Sequence, residues 1–431
     1  MGRLRFESVE GMDLIVGAGI TGLSYASYTG NDYLVIEKES EPGGYCRTIK
    51  QDGFVWDYSG HFFHFQDEKI KEEIISGIPD NHILTVLNHT QIRYKDRMVD
   101  YPFQKNIHQL SQDEYEDCLH DLFNNTYSER RSFKDMLYRK FGKSIAEKFL
   151  IPYNEKLFAC DLDALTADAM GRFFPHVDKE EIGANNSKEL PYNSSFLYTT
   201  GGAIEYIDSV CGRIDKDKIV YNEYLLAVDL EHRIATTNRR EIRYDHLIST
   251  IPFPQLLSIC GIDFDKLLYS SNKVLVFNIG FDKKGHDTKN NWVYYPEAKY
   301  LFYRVGCYDN IVPSDRLSVY VEIGYREDDS IDVEKDYRQV LNDLRVAGII
   351  SDHKVVSSCS VIMNPAYVHI TQEMESDRER KRQLLKEYDV YSIGRYGSWT
   401  YCSIEDNIKE AKSLASAIDH GKAFVDCCSG I

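Results

Sequence analysis

The stretch Met12-Asp-Leu-Ile-Val-Gly-Ala-Gly-Ile-Thr-Gly22 joins a short apolar run to three glycines, and its reading decides the fold. Met12–Val16 is apolar and bounded at once by glycine, the pattern of a strand buried in a parallel sheet. A helical stretch runs on to about Thr29, and a second strand, Tyr33–Ile36, ends at Glu37. A glycine triplet spaced GxGxxG is a weak signal alone, but between a strand and a helix it stands in the context its physics requires. Gly17 permits the tight turn, Gly19 lets the backbone approach a pyrophosphate, and Gly22 allows close helix–strand contact. The helix start offers free N–H groups to phosphate, and Glu37 sits where a carboxylate accepts from ribose hydroxyls.

Working outward, the bulk composition narrows the partners. Hydrophobic residues make up 43% of the 431 and aromatics 13%, which describes a globular chain with a sizeable core rather than a disordered one. The 31 tyrosines suit a pocket lined with ring faces and hydroxyls. Asp plus Glu 68 against Lys plus Arg 51 gives a net charge of −17, which argues against nucleic acid or an anionic membrane as partner. A small phosphorylated ligand stays open if a few arginines converge. The ten cysteines include no CxxC pair, and no apolar run is long enough to span a membrane, so the expectation is a cytoplasmic protein with buried, inert thiols. The first eleven residues read as a leader outside the fold.

The chain divides into interleaved segments. Residues 12–67, 191–264 and 381–425 carry the pieces of the nucleotide domain, 68–190 read as mainly helical, and 265–380 as rich in strands. His246–Thr250 and Val390–Ile393 complete the first sheet in this reading, with a final helix over Ile404–Ala417 and a charged one over Gln372–Lys386. Three strand-like runs are expected between Ile219 and Thr250.

A second glycine pair lies in Glu41-Pro-Gly-Gly-Tyr-Cys-Arg47, and a third glycine segment, Gly394-Arg-Tyr-Gly397, precedes the helix from Ile404. In this order the three segments resemble the extended signature of glutathione-reductase-type flavoproteins, above all the amine-oxidase and protoporphyrinogen-oxidase group. The resemblance implies an α/β, FAD-binding Rossmann domain with a helical insertion and a mixed β-sheet substrate region. It places Gly43, Gly44 and Arg47 around the flavin diphosphate and ring edge, Gly60 and His61 against the ring, and Gly394, Arg395 and Asp406 closing over it.

Further blocks narrow the likeness. Asp57-Tyr-Ser-Gly-His61, Tyr101-Pro-Phe-Gln-Lys-Asn106, Pro152-Tyr-Asn-Glu-Lys-Leu-Phe158, Trp292-Val-Tyr-Tyr-Pro-Glu297, Phe302-Tyr-Arg304 and Gly394-Arg-Tyr-Gly-Ser-Trp399 together resemble the UDP-galactopyranose mutases, collinearly over most of the chain. What this implies is interconversion of UDP-galactopyranose and UDP-galactofuranose, or of a related nucleotide sugar, through an adduct at N5 of reduced FAD. Net redox change is zero, so the flavin acts as a covalent catalyst and the protein supplies positioning and charge. Arg172 and Arg304 would hold the diphosphate, a task suited to guanidinium forks. Tyr101, Gln104, Asn154, Phe158, Tyr294, Tyr367 and Tyr401 would touch nucleotide or sugar, with Phe158 stacking on the base. His61 is the residue expected at the flavin face. NAD(P)H or another donor would reduce the flavin, and a homo-oligomer is compatible with the sequence.

Two positions depart from the mutase pattern: Ser59 stands for the first glycine of Gly-Gly-His, and Glu405 stands where asparagine is expected. The competing enzyme class is a flavin oxidase or dehydrogenase of the amine or protoporphyrinogen type, which would hold its substrate in an aromatic cage rather than beside paired arginines. A non-catalytic binding protein is the third reading. A metal site from His61 and His64 lacks a Cys or carboxylate partner in register, and no metal is expected.

Overall fold

The computed structural model describes residues 6–7, 12–175, 177–184, 194–421 and 424. Five parallel strands form the first sheet, in the order Ile219–Tyr221, Asp32–Glu37, Met12–Val16, His246–Ser249, Val390–Ser392. Leu14, Ile15, Val35, Leu247 and Ile248 are fully buried, which is why these runs read as continuous apolar stretches without alternation. All five strands end on the same edge. Gly17, Glu37, Thr250 and Ile393-Gly394 therefore gather there, at the carboxyl ends where open α/β sheets bind ligands. The helices Ile20–Tyr28 and Ile404–His420 pack together and are tied by Thr21 Oγ1 donating to Asn407 Oδ1 at 2.9 Å.

A second, seven-stranded sheet runs Val355–Met363, Asn272–Phe281, Ser318–Arg326, Arg304–Cys307, Trp292–Tyr294, Thr90–Tyr94, Arg97–Asp100. Its pairs are antiparallel except Trp292–Tyr294 with Thr90–Tyr94. The two-residue period of the strand sorts its side chains. In Ser318–Arg326, Val319, Val321 and Ile323 pack in one core with Val340 and Leu344 of the helix Val333–Val346, while Tyr320 and Glu322 face the other way. Arg304 lies opposite Glu322 in the ladder.

Three expectations need amending. The region 68–190 is not helical alone, because Ile83–Leu87, Thr90–Tyr94 and Arg97–Asp100 are strands and the last two complete the second sheet. Their mix of isoleucine, threonine and charged residues hid the alternation. Five short strands, not three, occupy 219–249, and the middle three form a separate small sheet. Of the first eleven residues, Phe6 and Glu7 pair in parallel with Glu241 and Ile242, so at least these two take part in the fold. The remaining nine lie outside the described residues.

Candidate functional site

A cavity of about 1630 Å³ opens at the carboxyl edge of the first sheet and runs beneath the second. That exceeds the ordinary range for one small ligand, roughly 300–1,000 Å³. Backbone makes one end of it. Gly17 sits at φ +106°, where a Cβ would lie 2.3 Å from Thr250 Oγ1. A Cβ at Gly22 would meet Gly17 O at 2.1 Å, whereas one at Gly19 would meet nothing within 4 Å. Gly19 thus borders open space, and the helix that follows has no side-chain cap, so its first N–H groups are left for a ligand. Gly43 N donates to Ala18 O at 2.8 Å, seating the second glycine pair beside the first turn.

Glu37 is 6% exposed and lines the cavity. Its Oε2 accepts from Ala18 N at 2.7 Å and its Oε1 from Glu39 N at 2.9 Å, so the carboxylate also fixes the glycine turn. Each oxygen retains a lone pair for a ribose hydroxyl. Arg47 lies over Tyr58, with Glu39 and Glu41 at 3.8 and 3.7 Å. Burial lifts the Cys46 thiol up to about 12, which leaves it protonated and inert.

The Trp56–Phe65 segment crosses the middle of the cavity. It is pinned by Trp56 Nε1 on Ser318 Oγ at 2.8 Å and by the buried Asp57, which accepts from Thr48, Tyr198 and the Ala203 N–H. Gly60 passes so close to Tyr320 that a Cβ would lie 2.5 Å from its hydroxyl. His61 Nδ1 is 3.0 Å from Ser59 O, and a carbonyl can only accept, so Nδ1 carries the proton and Nε2 stays an acceptor. Burial pushes the imidazole down to about 4, against the pull of Ser59 O and Glu322, so it is neutral at pH 7. His61 and Gly60 line the cavity; His64 does too, with its ring edge against Phe196.

Side chains of several elements make the other end. Four guanidiniums reach the wall: Arg47, Arg172, Arg304 and Arg395. Arg304 donates from Nε and Nη2 to the fully buried Glu322 at 2.5 and 2.7 Å, and Ser59 Oγ donates to the same carboxylate. The serine that replaces glycine therefore completes a buried ion pair. Arg172, on the turn Gly171–Phe173, pairs with Asp406 at 2.5 Å and lies over Phe173. Arg395 differs. Among the described residues no carboxylate lies within ion-pair distance; carbonyls of Cys402 and Ala366 accept from it at 3.3 Å, and the rings of Tyr401, Tyr367 and Tyr396 surround it. It contributes the least neutralised positive charge on the wall.

Tyr101, Tyr294, Tyr367 and Tyr401 line this end as well, Tyr101 against Tyr294 and Tyr367 stacked on Tyr401. Gln104, Asn154, Phe158, Gly22, Gly394 and Asp406 are not on the wall. Gln104 Nε2 donates to Pro175 O and Asn154 Nδ2 to Leu150 O, while Phe158, 1% exposed, sits between Phe133 and Tyr367. Asp406 caps its own helix through Ser403 besides pairing with Arg172. Glu405 lines the cavity with its carboxylate already engaged: Oε1 accepts from Gln66 N and Asp67 N, and Lys409 approaches its Oε2.

The sequence reading missed Tyr153, and the reason is helical phase. On the helix Ile151–Phe158, residues 153 and 157 share one face and 154 and 158 another. The structure puts Tyr153 and Leu157 on the cavity and Asn154 and Phe158 in the core. Glu322 was also missed; its signal was a lone carboxylate in the apolar run Ser318-Val-Tyr-Val-Glu-Ile323.

The fold is a Rossmann-type α/β sheet with a glycine-rich turn at its carboxyl edge and a second space beneath an added sheet. Residues 15–72 match the NAD(P)-binding Rossmann-like domain family. Over almost the whole chain the fold is that of a reduced UDP-galactopyranose mutase: TM-score 0.90 at 24% identity, with 97% of each chain covered. A putative protoporphyrinogen oxidase from an Exiguobacterium species superposes with TM-score 0.78 at 16% identity, over 96% of this chain and 100% of the other. Cyclohexylamine oxidase from Brevibacterium oxydans gives 0.69 at 12% identity, over 95% and 99%. No helix among the described residues is long and apolar enough to cross a membrane.

Proposed function

We propose that this chain is an FAD-dependent nucleotide-sugar mutase that interconverts UDP-galactopyranose and UDP-galactofuranose, or a close analogue. One observation carries the reading: a single cavity joins a glycine cradle for a dinucleotide to a tyrosine-lined space that holds Arg304 and Arg395. An oxidase of small amines needs the cradle and the rings but has no use for guanidiniums, whereas a nucleoside diphosphate does.

The residues present fit FAD. The bare Gly19 and the uncapped helix start would receive its diphosphate, Glu37 its ribose, and Gly43, Gly44 and Arg47 the middle of the molecule. When bound and reduced, the flavin would supply the nucleophile for the anomeric carbon; NAD(P)H or another donor would reduce it. The chain's own residues do the rest. Arg395 and the free Nη1 of Arg304 would take the diphosphate and stabilise its departure as an anion. Arg304 keeps its charge through Glu322. Neutral His61 can accept a hydrogen bond at Nε2 but carries no proton to give there. The tyrosine rings shield the reacting sugar from water.

The test is direct. Purified protein is reduced anaerobically, given UDP-galactofuranose, and the nucleotide sugars are separated by chromatography. The expected result is conversion to UDP-galactopyranose by the reduced protein and none by the oxidised. Turnover of an amine by oxidised protein with release of peroxide, and no isomerisation, would replace this reading with the oxidase one.

A further inference from the structure

Lys156 is used by nothing described so far. It lies on the helix Ile151–Phe158, whose cavity face carries Tyr153 and Leu157. Among the described residues its ammonium has no carboxylate within ion-pair distance. Instead Nζ donates to four main-chain carbonyls: Tyr295 O at 2.9 Å, Glu297 O at 3.2 Å, Tyr300 O at 2.9 Å and Phe302 O at 2.5 Å. Three N–H bonds shared among four oxygens at such distances resemble a small monovalent cation in a carbonyl cage. All four carbonyls belong to one arm, the connection between the strands Trp292–Tyr294 and Arg304–Cys307.

The ends of that arm are two cavity residues, Tyr294 and Arg304. Tyr153, one turn before Lys156, packs against Tyr294 and Tyr303. Only glycine at 324 leaves room for Lys156's own carbonyl, since a Cβ there would lie 2.2 Å away, so helix, arm and second sheet meet at this point. Other hydrogen bonds on the arm run from Leu301 N to Asp343, Lys95 N to Glu297 and Tyr300 N to Glu297 O, with ladder-like bonds from Tyr295 N and Tyr303 N, and the rings of Tyr295, Tyr300 and Phe302 pack together in the core. Without Lys156 the four carbonyls would converge with only the Tyr300 N–H, 3.3 Å from Glu297 O, to donate among them, a costly arrangement away from water. Burial pushes the ammonium down to about 7, with Asp343 and Glu297 pulling the other way, so the clamp carries its charge at pH 6.

We infer that Lys156 is a positioning residue: its ammonium acts as a built-in cation that folds the 295–302 arm onto the helix and so sets Tyr294 and Arg304 over the cavity. The consequence for nucleotide binding rests on the proposed function; the staple itself does not.

The experiment uses the full chain at pH 6 and compares Lys156→Ala and Lys156→Met with Lys299→Ala, a change at an exposed lysine of the same arm. Amide exchange read by mass spectrometry should be at least tenfold faster over 294–304 in both Lys156 variants, with the strand Met12–Val16 unchanged and Lys299→Ala like the parent. Added n-propylammonium should restore protection in Lys156→Ala, where the ammonium has a vacated channel, and not in Lys156→Met, where the thioether fills it. UDP affinity should fall about tenfold alongside. Unchanged protection in Lys156→Ala overturns the inference, as does loosening that spreads evenly through the chain. If neither variant folds, the parent decides: a slowly exchanging Lys156 ammonium resonance supports the cage, and one exchanging like a surface lysine overturns it. A parent protein that binds no UDP sinks the nucleotide-sugar reading and not the staple, which the exchange data settle by themselves.

Discussion

The two ends of the cavity are built by different means. The dinucleotide end is made of backbone: Gly17, Gly19, Gly43 and Gly44 shape it by what they lack, and most of its wall comes from residues adjacent in sequence. The arginine-and-tyrosine end is made of side chains delivered by the helix Ile151–Phe158, the second sheet, the turn at Gly171–Phe173 and the segment after Gly394. A backbone site tolerates almost no added atoms but does not depend on which residue lies across from it. A side-chain site depends on the phase of every element that feeds it.

Adding atoms to the backbone end should therefore be the most damaging change. Gly22→Val places a branched side chain where even a Cβ meets Gly17 O at 2.1 Å, between the first strand and its helix. Overpacking of this kind costs about 1–3 kcal/mol where neighbours can give, and a main-chain oxygen in the tight turn that ends the strand Met12–Val16 cannot. The expected outcome is a protein that purifies without FAD and melts well below the parent, checked by flavin absorbance per chain and a thermal scan. Normal flavin content in Gly22→Val would break the claim that this end is made by close backbone approach.

At the other end, phase is tested by two neighbours on one helix. Phe158→Ala removes a ring in the core between Phe133 and Tyr367 and should cost about 3–5 kcal/mol of stability, with UDP affinity unchanged in the molecules that fold. Tyr153→Ala, one face round, should leave stability closer to the parent and weaken UDP about tenfold. Chemical denaturation and calorimetric titration separate the two. The opposite pattern would restore Phe158 as the base-stacking residue expected from sequence and undo the assignment of faces.

That contrast also shows what a sequence can carry. The first sheet and its glycine turns were legible because strand, turn and helix follow each other within a few dozen residues, and their patterns are local. The helices Gln372–Lys386 and Ile404–His420 were legible for the same reason. Tyr153 and Glu322 were not, since nothing in the block Pro152–Phe158 says which of two adjacent residues faces inward, and nothing near Arg304 says that a strand crossing it brings a carboxylate into register. Asp406 was read as a cofactor contact because it follows the right glycines; its partnership with Arg172, far away in sequence, could only come from the fold. Ser59 looked like a defect in a motif and proves to be a hydrogen-bond donor to Glu322.

His61 sits where the two ends meet, and its titration sharpens the boundary. Its folded pKa lies near 4, below the usual value of 6.5, because burial disfavours the imidazolium. The group's contribution to stability is therefore fully present above pH 6.5 and is lost as pH falls through 4. Ring resonances of His61 should show no titration between pH 5 and 8 by NMR. A His61 that titrates near neutral pH would mean that water reaches the junction between the two ends.

Arg172 offers the smallest and most discriminating effect. Its pair with Asp406 is geometrically close, but its side chain is 38% exposed, and solvent screening leaves such a bond worth under about 1 kcal/mol. Arg172→Ala should then change the melting temperature by no more than a few degrees. Its effect on UDP depends on whether Asp406 has already taken its charge. If the pair holds in the complex, Arg172 presents almost no net charge to a diphosphate, and affinity should fall less than threefold. Arg395, with carbonyls and rings but no carboxylate, carries the larger share, and Arg395→Lys should cost far more. Similar losses from Arg172→Ala and Arg395→Lys would show that the ligand pulls Arg172 off Asp406, so that the side-chain end is rebuilt when the nucleotide arrives.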